Sequence, residues 1–248
     1  MVDIHCHILP GIDDGPRSWD LTAEMCRIAA LDGITHIVAT PHCNYEFAYD
    51  RDRYADMLGE LSDAADGKLA FSLGCDFHFS DDNIQDALAR PRRYTIGNSQ
   101  YLLVEFSDSD ISPEVKENLM LVSSNGMVPI ITHPERNRLL LNKPEMVLEF
   151  VEQGYLVQVT ANSFTGHWGS RSKITAEWLL ERQAIHVIAS DAHDPARRRP
   201  VLSEARKAVT ELAGAEVADA LFVQNPAAIV EGQRLPHSKK RQVSASSR

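Results

Sequence analysis

The chain has 248 residues, 44% of them hydrophobic and 24% charged, a balance that suits one large or two small globular domains and excludes fibrous and disordered classes. Its longest apolar runs, such as Tyr101–Glu105 and Val128–Ile131, are strand-length and too short to span a bilayer, and four cysteines without C-x-x-C spacing read as free thiols. A formal net charge of −10 argues against a nucleic-acid scaffold, although acidic residues that hold metal ions can leave a locally positive site on an acidic protein.

Residues 2–16 read VDIHCHILPGIDDGP. In an extended strand neighbouring side chains alternate faces, so His5 and His7 point one way and Ile4 and Cys6 the other. Two imidazoles on one face can share a metal ion, although an H-x-H pair alone also arises by chance on surface and core strands. The cluster Pro10, Gly11, Asp13, Asp14, Gly15 and Pro16 ends the strand in a loop, which puts the pair near its carboxyl end. The motif stands where a secretory n-region and h-region would be, so a cytoplasmic protein is expected.

Helical periodicity runs over 18–32 and is closed by Gly33. Ile34–Thr40 (ITHIVAT) reads as the second strand and runs into Pro41-His42-Cys43-Asn44. A charged amphipathic helix follows at 51–66, then a short strand at 69–74, and directly after it stand Cys75-Asp76-Phe77-His78. A short helix at 82–89 leads to the basic connector Arg90-Pro91-Arg92-Arg93. The strand Tyr101–Phe106 (YLLVEF) carries Glu105 inside an apolar run, where a carboxylate is either buried at a cost or bound to something.

The second half repeats the alternation. A helix at 112–124 has Pro113 early and Gly126 near its end, and the strand Val128–Thr132 closes on His133-Pro134-Glu135-Arg136-Asn137-Arg138. A helix at 143–152, a strand at 155–160 and a polar loop at 161–166 follow. A helix at 170–182 then precedes a strand at 186–189 that runs into Ser190-Asp191-Ala192-His193-Asp194. A helix at 201–212 and two short ones around Asn225-Pro226 complete one domain over 1–236; the basic, serine-rich tail 237–248 lacks apolar periodicity and is expected to be disordered.

Seven strands alternating with helices predict a mostly parallel sheet with right-handed crossovers, either open or closed. Both forms place ligands at the carboxyl ends of strands. An open sheet concentrates its chemistry at the switch point. Here His5, His7, His42, Asp76, Glu105, His133, Asp191 and His193 come from nearly every strand end, which suits a ring around one mouth. The expected fold is therefore a (β/α)7 barrel, a relative of the TIM barrel with one unit fewer.

Five imidazoles and three carboxylates exceed the shell of a single tetrahedral zinc and suit two or three ions with a bridging carboxylate. The mixed donor set points to Mn²⁺, Fe²⁺ or Zn²⁺ rather than to Mg²⁺ or Ca²⁺, which prefer oxygen shells. Three divalent ions against three carboxylates leave a positive pocket that calls for an anion, and a phosphate ester fits: the ions can bind its oxygens and acidify a water toward a pKa of about 7. Arg136 and the run Arg197–Arg199 lie on the same loops as ligands and could clamp phosphate bidentately. The run reads equally as a solvated surface feature, and Glu105 paired with an arginine would be structural. His36, His78, His167, His186 and His237 read as ordinary histidines.

The segments DIHCH, TPH, LLVEFS, ITHPER and ASDAHD, in this order, resemble the PHP (polymerase and histidinol phosphatase) superfamily, and within it the bacterial metal-dependent protein-tyrosine phosphatases of capsule and exopolysaccharide operons. The resemblance covers roughly residues 1 to 232. It implies a distorted (β/α)7 barrel with a trinuclear site, usually of Mn²⁺ or Fe, that hydrolyses phosphotyrosine on the tail of a partner bacterial tyrosine kinase. His5, His7, His42, Glu105, His133, Asp191 and His193 match the family's metal ligands. Arg136 matches its phosphate-binding arginine in H-x-E-R, and Arg198 a second one by spacing, with Arg199 as the alternative. Asp76 stands where many relatives carry Glu, so an ion there would be held by a side chain one methylene shorter. The DDGP loop also recurs in the family and makes Asp14 a candidate supporting or proton-handling residue. A small-molecule phosphatase of the histidinol-phosphate type is the alternative on the same scaffold, and a nuclease or non-catalytic module a third.

Overall fold

The computed structural model describes residues 1–108 and 111–236; the tail over 237–248, expected to be disordered, lies outside the described residues. The strands are β1 (Val2–Cys6), β2 (His36–Ala39), β3 (His42–Cys43), β4 (Ala70–Leu73), β5 (Asp76–His78), β6 (Tyr101–Glu105), β7 (Val128–Thr132), β8 (Leu156–Thr160) and β9 (Val187–Ala189). They form two hydrogen-bonded sets, β1-β2-β4 and β3-β5-β6-β7-β8-β9, parallel throughout.

These segments occupy seven strand positions, because β2 with β3 and β4 with β5 are each one path with a bend. Pro41 makes the first bend: it has no N–H for the ladder, and its carbonyl accepts from Asp76 N at 3.1 Å instead. Gly74 makes the second, where a Cβ would come within 3.1 Å of Ile96 and Val38 and 3.2 Å of Thr40. The second bend turns Asp76 into the first residue of a strand, rather than part of a loop after one. The last strand position meets the first through Asp191 N to His5 O and His7 N to Ala192 O, both 2.8 Å, and a parallel bridge between Cys6 and Ala192. The ring so formed is a distorted TIM-like (β/α)7 barrel.

Helices α1 (Trp19–Leu31), α2 (Arg51–Ala64), α3 (Asp81–Ala89), α4 (Val115–Ser124), α5 (Glu145–Glu152), α6 (Ala161–Phe164) and α7 (Gly169–Glu181) lie between strands, and α8 (Ser203–Ala213), α9 (Ala215–Asp219) and α10 (Asn225–Val230) follow them. Local chemistry starts two of them: Ser18 Oγ accepts from Leu21 N at 3.4 Å and Asp50 Oδ1 from Arg53 N at 3.2 Å, satisfying amides that the helix cannot. The polar stretch expected as a loop at 161–166 instead begins with the single turn of α6. The two helices expected near Asn225-Pro226 are α9 and α10, joined by a π-helical turn over Ala220–Gln224.

Alternation divides the barrel. On β6, Tyr101 and Leu103 share a face with Glu105; on β8, Leu156 shares one with Gln158; Val187 and Ala189 of β9 lead in the same alternation to Asp191. The apolar members of these faces pack with Ile130, Val38 and Ile229 of α10 into one buried cluster. The polar members stand at the strands' carboxyl ends, above that cluster. The opposite faces, with Leu102, Val104, Ile131, Val157 and Ile188, join Met25, Leu61, Leu119, Phe150 and Leu179 of the helices in the larger core.

Candidate metal centre

His5 and His7 point the same way, on either side of Cys6, and their Nε2 atoms are 3.3 Å apart; the register of β1 slips between Asp3 and Cys6, so Ile4 packs in the inner cluster and Cys6 in the larger core rather than sharing one face as expected. Asp76 pairs in register with His42 across β3 and β5. Its Oδ2 lies 3.1 Å from His42 Nδ1, 3.5 Å from His5 Nε2 and 4.0 Å from His7 Nε2. Glu105 links two histidines, with Oε2 3.7 Å from His42 Nδ1 and Oε1 3.6 Å from His133 Nε2. Asp191 Oδ1 is 3.5 Å from His5 Nε2, 3.6 Å from His7 Nε2 and 3.7 Å from His193 Nδ1. All eight residues singled out in the sequence thus meet in one cluster.

Three subsets bring their donor atoms within 4.8 Å of one another: His5, His7 and Asp76; His42, Asp76 and Glu105; and His7, Asp14, His42 and His193. His7, His42 and Asp76 each belong to two of them; of these only Asp76 is a carboxylate, whose two oxygens could serve neighbouring ions. His42 Nδ1, both carboxylate oxygens of Asp76 and His193 Nε2 are buried without a hydrogen-bond partner. Buried polar atoms are rarely left so, and several converging on one place fit divalent cations. No thiol enters these subsets among the described residues, in keeping with the turn of Cys6 away from His5 and His7.

The electrostatics show the same deficit of positive charge. Burial disfavours a charged His5, yet Asp76 and Asp191 outweigh it and lift its pKa to about 9. Burial likewise opposes charge on His42, but the carboxylates of Asp14 and Asp76 beside it raise its pKa to about 11. Burial and the neighbouring His193 and His42 push His7 down to about 3, and burial with Arg136 does the same to His133. Burial and then Asp76 push Glu105 up to about 8. Neighbouring imidazoles cannot all protonate, whereas neutral imidazoles and carboxylates can share metal ions without that conflict.

The arginines converge on the other side of Asp191. Arg198 Nη2 donates to Asp191 Oδ2 at 2.7 Å, Arg136 Nη1 donates to the same oxygen, and Arg136 Nη1 is 3.3 Å from Thr160 Oγ1. Despite burial, these two guanidiniums hold the Asp191 carboxyl well below the usual carboxylate range. Of the two arginines left open by spacing, Arg198 enters the cluster; Arg199 lies 4.0 Å from Glu204 at the surface. Asp194 shapes this loop, its carboxylate accepting from Ala196 N at 2.7 Å, Arg197 N at 2.5 Å and Arg198 N at 3.2 Å. His133 and Asp191 both adopt positive φ, 33° and 52°, a conformation uncommon outside glycine that recurs at functional sites.

Several supporting residues escaped the sequence reading. Asp13 Oδ2 is 2.8 Å from His7 Nδ1 and accepts from His42 N at 3.2 Å, while Gln158 Oε1 is 2.9 Å from His5 Nδ1. Such partners set the tautomer of a ligating imidazole and leave its Nε2 free to bind. Asp14, flagged only through the DDGP loop, reaches His193 Nε2 at 3.2 Å and His42 Nε2 at 3.4 Å. Gln158 carried one readable signal, an amide in the interior of an otherwise apolar strand. Asp13 carried none beyond its place in a turn.

Residues 1–231 match the family model described as "Capsular polysaccharide synthesis, CpsB/CapC". The chain belongs to the CpsB/CapC family. It is 33% identical over 222 residues, 88% of this chain and 87% of the relative, to the tyrosine-protein phosphatase YwqE of Bacillus subtilis. It is 28% identical to the tyrosine-protein phosphatase CpsB of Streptococcus pneumoniae, over 94% of this chain and 99% of that one. A chain from the crystal structures of YwqE and CpsB, described as unique metal-dependent tyrosine phosphatases, superposes with a TM-score of 0.86 at 31% identity, covering 97% of this chain and all of that one. The expected PHP-type fold and the resemblance read from the five motifs agree with these matches.

Proposed function

We propose that this CpsB/CapC-family chain is a metal-dependent phosphomonoesterase that hydrolyses phosphotyrosine on protein. The observation that carries the reading is the pairing, across Asp191, of an imidazole–carboxylate cluster with two convergent arginines. Its ligands are assigned as His5, His7, His42, Asp76, Glu105, His133, Asp191 and His193, holding two or three ions of Mn²⁺, Fe or Zn²⁺. Bound there, the ions would supply Lewis-acid charge for the phosphoryl oxygens and an acidified water as nucleophile.

The chain's own residues have separable tasks. Gln158 and Asp13 fix the ring orientation of His5 and His7 through Nδ1. Arg136 and Arg198 orient the phosphoryl group and stabilise the charge that grows on it, with N–H donors on one side of the cluster. Asp14 lies beside His42 and His193 at half-exposure, and despite its partial burial those imidazoles hold its carboxyl well below the usual carboxylate range, so it stands as a carboxylate that can add to the donor set.

The proposed substrate is the tyrosine-phosphorylated tail of a bacterial protein-tyrosine kinase, met in the cytoplasm by a single barrel domain over 1–236. Among the described residues, no helix is long and apolar enough to cross a membrane. The test is phosphate release from a phosphotyrosyl peptide and from histidinol phosphate, side by side, with Mn²⁺ and with EDTA. Mn²⁺-dependent preference for the peptide is expected. Preference for histidinol phosphate would move the chain to metabolite chemistry on the same site, and release unaffected by EDTA would remove the metal reading.

A further inference from the structure

Arg136 follows β7 and Arg198 follows β9, so no backbone relationship aligns their side chains. A third segment does so. Trp168, in the turn between α6 and α7, lies with its ring centroid 3.9 Å from Arg136 Cζ and 5.5 Å from Arg198 Cζ. Both distances fall within the reach of a cation–π contact, and Trp has the most strongly attracting face of the aromatic side chains.

We propose that Trp168 is a positioning residue for phosphate recognition: its indole face is a shared platform that orients Arg136 and Arg198 together. The assignment rests on the phosphatase reading above. A guanidinium laid against a ring keeps its in-plane N–H groups free to donate, as Arg136 Nη1 does toward Thr160 Oγ1 and Arg198 Nη2 toward Asp191 Oδ2. It also removes rotamer freedom that a long side chain would otherwise lose on meeting its anion.

A purely space-filling role fits the indole poorly. Trp168 Nε1 is buried without a hydrogen-bond partner, a cost that Phe or Leu would not incur at the same place. The feature Trp adds is therefore its large electron-rich face. The pair of Arg182, just past the end of α7, over Trp178 within it, 4.0 Å apart, shows the contrast: it joins neighbouring turns of one helix, whereas Trp168 joins two arginines from two other loops.

The test compares the full-length Mn²⁺-loaded protein with Trp168→Ala, Trp168→Leu, Trp168→Phe and Arg136→Ala. Calorimetry reads the affinity for inorganic phosphate, and hydrolysis of a phosphotyrosyl peptide reads KM and kcat. Trp168→Ala and Trp168→Leu are expected to weaken phosphate binding about tenfold and to raise KM more than they lower kcat. Trp168→Phe, which restores a ring face, is expected to stay within about threefold of wild type. Equal behaviour of the Leu and Phe variants would reduce Trp168 to packing and overturn the proposal, and this pair decides even if the Ala variant fails to fold. Phosphate affinity unchanged in Arg136→Ala would instead remove the arginine clamp itself, and with it the phosphate reading on which the proposal rests.

Discussion

Asp191 accepts from Arg198 Nη2 at 2.7 Å through Oδ2 while its Oδ1 faces the imidazoles of His5, His7 and His193 at 3.5 to 3.7 Å. One carboxylate thus stands between the cluster proposed to hold metal ions and the arginines proposed to hold phosphate. A divalent ion drawn to Oδ1 competes with the guanidiniums for the charge of the same group, which loosens them toward an incoming anion. Metal loading and phosphate affinity should therefore rise together.

Arg136→Ala and Arg198→Ala should each lower kcat/KM for a phosphotyrosyl peptide by about 10²- to 10³-fold, the loss typical of one charge-stabilising donor. Metal content should stay at the wild-type level, because neither side chain belongs to the donor subsets. Metal analysis beside steady-state kinetics checks both. Wild-type kinetics in either variant would take that arginine out of the mechanism.

Gln158→Leu removes the amide 2.9 Å from His5 Nδ1 and leaves a side chain of similar size. The ring of His5 then lacks the partner that sets its tautomer, and Mn²⁺ affinity should fall about 10- to 100-fold. Titration of the metal-stripped protein measures this directly. A variant that binds Mn²⁺ as tightly as wild type would show that packing alone orients His5.

Gly15→Ala tests the DDGP loop. A Cβ at Gly15 would come 2.6 Å from the carbonyl oxygen of His7, a backbone atom that cannot swing aside. Relief must move the loop carrying Asp13 and Asp14, or His7 just past the end of β1. The expected outcome is a destabilisation of about 1–3 kcal/mol together with a loss of activity exceeding that of a surface Gly→Ala change. Thermal unfolding and peptide hydrolysis together would expose the error if both were unchanged.

His186 supplies a pH dependence away from the cluster. Burial lowers its pKa from the ordinary 6.5 to about 4, and its Nδ1 accepts from Val157 N at 3.1 Å. Between those two pH values the unfolded chain binds the proton and the folded chain does not. Stability from this group is therefore complete above pH 6.5 and is lost progressively as pH falls to about 4, by roughly 3 kcal/mol in all. Denaturant unfolding of wild type and His186→Asn over this range should show that difference between the two proteins. Parallel pH profiles would contradict it.

Much of this was written locally. The alternation of β1 determined that His5 and His7 share a face, and the recurrence of His, Asp and Glu at strand ends determined a ring of donors, because strand geometry needs only a residue's neighbours to say where it points. Pro41 and Gly74 were visible, but the bends they impose, and so the entry of Asp76 into a strand opposite His42, depend on which strand lies alongside. Tertiary structure alone decided that Gln158 meets His5, that Asp14 reaches both His42 and His193, and that Trp168 lies under two arginines. Those contacts join residues that lie on or after different strands. No period or spacing in the chain encodes them, since it is ring closure that brings those strand ends to one mouth.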